Sequence, residues 1–260
     1  MTLSPSNIPK PAVVLITGAA KRLGAATARH LHACGCDIIV HYHQSKAAAE
    51  ALAAELNASR PDSAITVPAN LADSSELKAL SEQALNWKGK LDVLINNASA
   101  FYPTPLQEAT EAQWNHLLNT NIKAPFFLCQ HLRPALSKSQ GCIVNLVDIY
   151  SQRPLKNHPI YSISKAGMAM LTQSLALELA PDIRVNGVSP GAILWPESES
   201  ATPEAKAAAH DYQQQLLRKI PLERIGTEQD IAQTIQFLAF QAPYVSGQII
   251  NIDGGRSIGI

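Results

Sequence analysis

The sequence predicts a doubly wound α/β fold, in which helices cover both faces of a parallel seven-stranded sheet. Short apolar runs alternate with longer helical patterns along almost the whole chain. These runs lack the apolar–polar alternation of half-exposed strands, which is typical of parallel strands buried on both faces. No internal repeat or linker divides the chain, and 260 residues are enough for one large core. We therefore expect residues 1–260 to form a single domain.

The predicted strands are apolar runs bounded by turns or helical patterns. In chain order they are Val13–Thr17, Asp37–His41, Ala64–Val67, Val93–Asn96, Cys142–Val147, Ile183–Val188 and Gln248–Ile252. Helices are predicted between them, and Gly35 ends the first. They cover Ala25–Cys34, the Ala-rich Ala47–Leu56, Ser75–Trp87, Glu111–Leu136 with a break near Pro125, and Ser162–Leu179.

The stretch of about residues 190–220 departs from this alternation. Its sequence from Trp195 to Ser200 is followed by an Ala-rich helical pattern, which predicts an inserted lid. Lids often exclude water from a reacting site. We therefore expect this insertion to cover the substrate, with an ordinary surface loop as the alternative.

Composition argues against several function classes. Lys plus Arg equals Asp plus Glu at 21 each, which argues against a nucleic-acid or membrane-surface partner. The N-terminal residues lack the basic and apolar regions of a signal peptide, and no apolar run is long enough to span a bilayer. The four cysteines lack the paired spacing of a zinc site. We expect reduced thiols, no metal and a cytoplasmic location.

A glycine-rich turn joins the first predicted strand to the first helix. It reads Thr17-Gly18-Ala19-Ala20-Lys21-Arg22-Leu23-Gly24. Glycines at such a turn let the backbone approach a pyrophosphate at the helix N-terminus, so the turn predicts a dinucleotide site. The alternative is a tight turn without a ligand.

The end of the second strand indicates which dinucleotide binds. NAD enzymes of this architecture place an acid there, on the ribose 2′-hydroxyl, but this chain reads His41-Tyr42-His43-Gln44-Ser45. A carboxylate would repel a 2′-phosphate, and its absence favours NADPH over NADH. Donors or positive charge for that phosphate are expected from Lys21, Arg22, His43 and Ser45. As the alternative, the two histidines are solvent-facing polar groups at a strand end.

A tyrosine and a lysine four residues apart, Tyr161 and Lys165, share one face of a predicted helix. A phenol ionises near pH ~10, and a nearby ammonium lowers that pKa, so the pair is expected to pass a proton at neutral pH. Asp148 lies thirteen residues upstream of the tyrosine, where many enzymes with this pair carry serine. A carboxyl group at this position indicates a less usual substrate.

These motifs together resemble the short-chain dehydrogenase/reductase family. The order and spacing of that family are found in the glycine-rich turn, Asn96-Asn97-Ala98, Asn121, Tyr161-x-x-x-Lys165 and Pro190-Gly191. Arg22 stands where the family usually has a third glycine, and Asp148 where it usually has serine. Both changes resemble the pteridine reductase branch of the family.

Two further segments resemble that branch, namely His41-Tyr42-His43 and the run from Asn96 to Leu106. The second is long and aromatic, with Phe101 and Tyr102 followed by two prolines. The chain departs from the branch at Gln44, in place of an arginine, and at Asn70, in place of an aspartate.

The resemblance implies a Rossmann-type fold and a role for each site residue. Tyr161 donates the proton, Lys165 lowers its pKa and binds the nicotinamide ribose, and Asp148 binds the pterin amino edge or relays a proton. Asn121 holds a water in the relay, and Phe101 stacks the pterin against the nicotinamide. The implied catalytic residues are Asp148, Tyr161 and Lys165, and the implied substrate contacts are Arg22, Ser99, Phe101, Asp148 and Tyr161. The implied cofactor contacts are Gly18, Lys21, Arg22, Leu23, His41, His43, Ser45, Asn70, Leu71, Asn97, Ala98, Ser99, Asn121, Tyr161, Lys165, Pro190 and Gly191.

The implied activity is the NADPH-dependent reduction of a dihydropterin, such as dihydrobiopterin or dihydromonapterin, to its tetrahydro form. Dihydrofolate and oxidised pterins are further candidate substrates, and the sequence leaves the preferred one open. One alternative is a reductase of ketones or 3-oxoacyl thioesters, and another is a non-catalytic dinucleotide sensor. The resemblance also implies a homotetramer that uses helices within residues 110–136 and 162–179.

Overall fold

The computed structural model describes residues 11–193, 211 and 213–258. Within them, seven parallel strands form one sheet in the order β3-β2-β1-β4-β5-β6-β7, which confirms the predicted fold class. The strands are β1 (Val13–Ile16), β2 (Asp37–Tyr42), β3 (Ala64–Pro68), β4 (Val93–Asn96), β5 (Cys142–Leu146), β6 (Arg184–Pro190) and β7 (Ile249–Ile252). The strand order reverses at β1, which pairs with β2 on one side and with β4 on the other.

The helices that surround this sheet follow the predicted alternation. They include α1 (Arg22–Ala33), α2 (Lys46–Ser59), α3 (Ser74–Lys88), α4 (Glu111–Leu118), α5 (Ala124–Lys138), α6 (Pro159–Glu178) and α7 (Glu228–Gln236). The break predicted near Pro125 lies earlier, in a π-helical turn over Asn119–Lys123. Pro125 itself lies in the first turn of α5, two residues after that π-helical turn.

Both faces of the sheet are buried, because neighbouring residues of one strand belong to different hydrophobic clusters. Ile16 packs in the cluster that contains Leu31 of α1 and Ile235 of α7. Its neighbour Leu15 packs in the opposite cluster, with Leu132 of α5. This two-sided burial is the physical reason why the strands read as continuous apolar runs.

The predicted site residues meet at one edge of the sheet, because the carboxyl ends of parallel strands point the same way. A doubly wound sheet forms a crevice at that edge where the strand order reverses, here between β1 and β4. Most of the predicted insertion, residues 194–210 and 212, lies outside the described residues. Among the residues that are described, no helix is long and apolar enough to cross a membrane. The same residues contain no group of three or more potential metal ligands.

Candidate active site

The glycine-rich turn after β1 is packed so closely that two of its positions require glycine. Gly18 has a φ of +61°, and a Cβ there would lie 3.0 Å from the Cα of Ala98. A Cβ at Gly24 would overlap the carbonyl oxygen of Gly18 and would lie 2.7 Å from Nδ2 of Asn97. The close contact between this turn and the segment after β4 fixes the floor of the crevice.

Arg22 occupies a strained position at the start of α1. Its φ of +51° lies in the left-handed region that favours glycine, at a cost of about 1–2 kcal/mol. The side chain is exposed, as is that of Lys21. Helix α1 has no acidic residue in its first turn and no side-chain cap at Lys21. The exposed cations and the helix N-terminus therefore fit the pyrophosphate of a dinucleotide.

Asn97 and Thr17 hold the turn in place. Asn97 Nδ2 donates to the carbonyl oxygens of Thr17 at 2.8 Å and Gly18 at 3.1 Å. Thr17 Oγ1 accepts from the backbone N–H groups of Asn97 and Ala98 at 2.9 and 3.0 Å. The side chain of Asn97, a predicted cofactor contact, is thus occupied by the protein, and the bracing role of Thr17 was not predicted.

The residues predicted beside the 2′-phosphate differ in exposure. His43 is exposed, and Ser45 is the half-buried N-cap residue of α2, whose side chain makes no capping bond. His41 is 1% exposed, and both of its ring nitrogens lie within hydrogen-bond distance of backbone atoms. Both ring nitrogens of His41 are thus used by the protein itself, and its predicted contact with the cofactor stays a prediction.

The predicted adenine side of the site follows β3. Asn70 Oδ1 accepts from the N–H of Ala72 at 3.0 Å, and the N–H of Asn70 donates to Glu76 at 2.6 Å. Leu71 is 6% exposed. These contacts fix a short loop whose backbone lies next to β2.

The predicted catalytic residues Asp148, Tyr161 and Lys165 lie together. The hydroxyl of Tyr161 donates to Oδ2 of Asp148 at 2.7 Å, and Oδ1 of Asp148 accepts from the N–H of Tyr150 at 2.9 Å. Lys165 Nζ donates to the carbonyl oxygen of Leu146 at 2.9 Å and lies 5.7 Å from the ring centroid of Tyr161. Tyr161 and Lys165 are 5% and 3% exposed, so their protons are shielded from water.

Burial changes the acidity of all three groups. It raises the pKa of Asp148, although hydrogen bonds from Tyr150 and Tyr161 and the charges of Lys165 and Arg256 act in the other direction. Burial also raises the pKa of Tyr161 well above its usual range, and the carboxylate of Asp148 raises it further. Burial lowers the pKa of Lys165 to about 8. The pKa of Tyr161 is thus raised by burial and by Asp148, and the expectation that Lys165 lowers it stays a prediction.

Asn121 connects the segment after β4 to helix α6. This fully buried residue lies in the π-helical turn, where its Nδ2 donates to the carbonyl oxygen of Ala100 at 3.0 Å and to Ser164 Oγ at 2.9 Å. Its Oδ1 accepts from the N–H of Ala100 at 2.8 Å and from Ser99 Oγ at 3.3 Å. The side chain is thus used for positioning, and its predicted part in a water relay stays a prediction.

Phe101 lies beside Tyr161 and is 56% exposed, so it is not a core residue. Its ring stacks on the imidazole of His158 at 4.8 Å and 9°, and meets the ring of Tyr161 edge-on at 4.7 Å. His158 immediately precedes helix α6, and the sequence reasoning missed it. No sequence signal indicated it, because the stacking of His158 on Phe101 joins residues that are far apart in the chain.

The end of β6 brings the C-terminal segment to the site. Gly191 follows β6, and a Cβ there would lie 2.6 Å from the Cβ of Asp253. Arg256 donates to the hydroxyl of Tyr150 at 3.2 Å, and its guanidinium lies 5.9 Å from the centroid of that ring. Since Tyr150 is also the backbone donor to Asp148, the C-terminal segment is connected to the predicted catalytic carboxyl group.

The comparisons with known proteins agree with this arrangement. A family model described as "Enoyl-(Acyl carrier protein) reductase" matches residues 18–257. Pteridine reductase 1 of Leishmania tarentolae is 37% identical over 99% of each chain. The 3-oxoacyl-(acyl-carrier-protein) reductase FabG of Staphylococcus aureus is 36% identical over 93% of this chain and 96% of its own.

A solved structure resembles the whole fold. It is described as a short-chain alcohol dehydrogenase from Sinorhizobium meliloti 1021, with a TM-score of 0.87 and 29% identity over 97% of this chain and 98% of its own. Sequence similarity and fold similarity thus extend over the same length of chain. The chain belongs to the short-chain dehydrogenase/reductase family of NAD(P)-dependent oxidoreductases.

Proposed function

We propose that this enzyme is an NADPH-dependent pteridine reductase, which reduces dihydropterins such as dihydrobiopterin or dihydromonapterin to the tetrahydro form. Dihydrofolate and oxidised pterins are further proposed substrates. One observation carries the proposal, namely the 2.7 Å hydrogen bond from the hydroxyl of Tyr161 to the carboxyl group of Asp148. Reduction of a C=N bond leaves a nitrogen that must be protonated, and a carboxyl group beside the proton donor meets that need.

The proton path uses this chain's own residues. The bound NADPH supplies the hydride to the carbon of the C=N bond. Tyr161 gives its hydroxyl proton to the ring nitrogen, and a protonated Asp148 returns a proton to the phenolate through their hydrogen bond. Lys165, 5.7 Å from the ring centroid, stabilises the transient phenolate. A serine in place of Asp148 would orient a ketone oxygen but would not act as an acid near neutral pH.

The aromatic residues support a flat substrate. Phe101 exposes more than half of its surface, while His158 covers one face of its ring. We propose that the exposed ring stacks on the pterin, where an aromatic pair contributes about 1 kcal/mol beyond burial. Ser99, which is exposed beside Asn121, is the proposed hydrogen-bonding partner of the substrate.

The preference for NADPH rests on charge. Lys21, Arg22 and His43 are exposed near the turn, and no acidic residue follows β2 to repel a 2′-phosphate. An acid at this strand end, on the ribose 2′-hydroxyl, would have favoured NADH, whereas these side chains favour the additional phosphate. The dinucleotide class itself follows from the family.

The second candidate is a 3-oxoacyl thioester reductase, since the relative with that name is nearly as similar as pteridine reductase 1. Asp148 and Phe101 favour a pterin substrate over a 3-oxoacyl thioester. A carboxyl group supplies a proton to nitrogen, and an exposed aromatic ring matches a heterocycle better than an acyl chain. We therefore propose the pterin activity first.

Further parts of the proposal concern assembly and surroundings. Helices α4, α5 and α6 expose large apolar side chains, which supports their use in a homotetramer. These residues are Trp114, Phe126, Ile163, Met170 and Leu177. We also propose a substrate-covering insertion at about residues 190–220. The four cysteines are free, which agrees with the proposed cytoplasmic location.

Parallel assays test the proposed activity. NADPH oxidation is measured with dihydrobiopterin, dihydrofolate and an acetoacetyl thioester at matched concentrations. We expect the highest kcat/KM with a pterin, and a highest value with the thioester would overturn the proposal. The Tyr161→Phe variant should bind NADPH as well as the parent but lose most turnover, and the Asp148→Ser variant should lose pterin reduction far more than cofactor affinity.

A further inference from the structure

His41 connects two loops that lie on either side of strand β2. The N–H of Gly18, in the turn after β1, donates to Nδ1 of His41 at 3.0 Å. Nε2 of the same ring lies 3.1 Å from the carbonyl oxygen of Ala69, in the loop after β3. The imidazole is 1% exposed. It therefore spans from the glycine-rich turn to the predicted adenine-side loop inside the protein.

The two partners determine the protonation of the ring. A backbone N–H only donates, so Nδ1 accepts and carries no proton. A carbonyl oxygen only accepts, so Nε2 carries the proton. Neutral imidazole is the one form that satisfies both partners, and burial lowers the pKa of His41 to about 4. At neutral pH this residue therefore brings no positive charge to a phosphate.

Main-chain bonds align the same two loops with β2. The N–H of Ala19 donates to the carbonyl oxygen of His41 at 2.9 Å, and the N–H of Ala69 donates to that of Tyr42 at 2.9 Å. The ring of His41 adds a side-chain connection between the two loops. Gly18 adjoins the predicted pyrophosphate contacts and Ala69 adjoins Asn70, a predicted adenine contact, so one side chain reaches both parts of the cofactor site.

We propose that His41 is a positioning residue for the dinucleotide. Its neutral ring holds the glycine-rich turn and the loop after β3 in the spacing that the adenosine diphosphate half of the cofactor requires. Loops that are already ordered bind with a smaller loss of conformational freedom. His43, two residues further along and exposed, is the residue that meets the 2′-phosphate. This role rests on the dinucleotide binding of the family and not on the identity of the substrate.

The comparison of two cofactors separates positioning from direct contact. Dissociation constants for NADPH and NADH are measured by fluorescence titration, without substrate, for the parent and the variants. We expect His41→Phe to weaken both cofactors by the same factor, about tenfold, because both ring hydrogen bonds are lost. His41→Asn keeps an acceptor at the position of Nδ1 but lacks the donor to Ala69, so its loss should be smaller and again equal for both cofactors.

His43→Ala is the matched control, a histidine variant two positions away, and it should weaken NADPH alone. If the His41 variants lost affinity for NADPH alone, the proposal would be overturned, because that result would indicate direct contact of His41 with the 2′-phosphate. Unchanged affinity for both cofactors in folded His41 variants would also overturn it. Thermal unfolding establishes that each variant is folded. If His41→Phe fails to fold, His41→Asn, which keeps a polar group at this buried site, decides the question.

Discussion

Replacing Asp148 by asparagine isolates the role of its carboxyl group. The acceptor Oδ1, which binds the N–H of Tyr150 at 2.9 Å, is retained, so the backbone after β5 keeps its position. Oδ2, which accepts from Tyr161 at 2.7 Å, becomes an amide nitrogen that cannot return a proton. A positioned proton donor or acceptor contributes roughly 100- to 10,000-fold to a rate. We therefore expect pterin turnover to fall by about 100-fold or more.

The assay measures kcat with a dihydropterin across pH, together with the dissociation constant for NADPH. The carboxylate of Asp148 raises the pKa of Tyr161, and the asparagine variant lacks this charge. The residual turnover of the variant should therefore no longer vary with pH through the ionisation of Asp148. NADPH affinity should be unchanged, which separates this effect from damage to the cofactor site. Asp148→Ser serves as the control with the residue usual for the family. A rate within about twofold of the parent in Asp148→Asn, far inside the ~100-fold contribution of a proton relay, would refute the reasoning.

Three further predictions follow from contacts in the structure. Gly24→Ala should destabilise the protein by about 1–3 kcal/mol and weaken cofactor binding, because its Cβ overlaps the Gly18 carbonyl. Thermal unfolding measures the loss of stability, and titration with the cofactor measures the loss of affinity. His158→Ala should raise KM for the pterin by about threefold to tenfold with little change in kcat, because Phe101 loses its stacking support. Between pH 6.5 and about 4, unfolded His41 binds a proton that the folded form does not, so stability should fall by about 3 kcal/mol as pH falls. Chemical denaturation across that range should show a flatter profile for His41→Asn.

The fold was readable from the sequence because its strands are buried on both faces. An apolar run such as Val13–Ile16 contains no polar residue, so the predicted strand was close to the observed bounds. The helix break predicted near Pro125 corresponds to the π-helical turn over Asn119–Lys123, which directly precedes α5. The π-helical turn over Asn119–Lys123 depends on tertiary contacts of Asn121, which the local sequence does not reveal.

The three residues predicted to be catalytic lie together, and the sequence could indicate them because residue type and spacing carry their chemistry. Tyr161 and Lys165 share a helix face, and Asp148 lies two residues after the end of β5, so their proximity follows from the topology. The contact of His158 with Phe101 was missed, since it depends on the distance between separate segments of the chain. His41 was predicted at the cofactor site, but its buried, bridging geometry became evident only from the fold.

The protonation of Asp148 is the central variable of the proposed mechanism. While Asp148 is ionised, its charge and hydrogen bond hold the proton on Tyr161 and raise the pKa of the phenol, which opposes proton donation. A neutral Asp148 removes that opposition and carries the proton that restores the tyrosine. Burial favours this neutral form, whereas Arg256, fixed to the loop by its bond to Tyr150, favours the ionised form. Burial on one side, and the hydrogen bonds from Tyr150 and Tyr161 with the charges of Lys165 and Arg256 on the other, therefore decide at which pH the Asp148–Tyr161 pair is ready to protonate a substrate nitrogen.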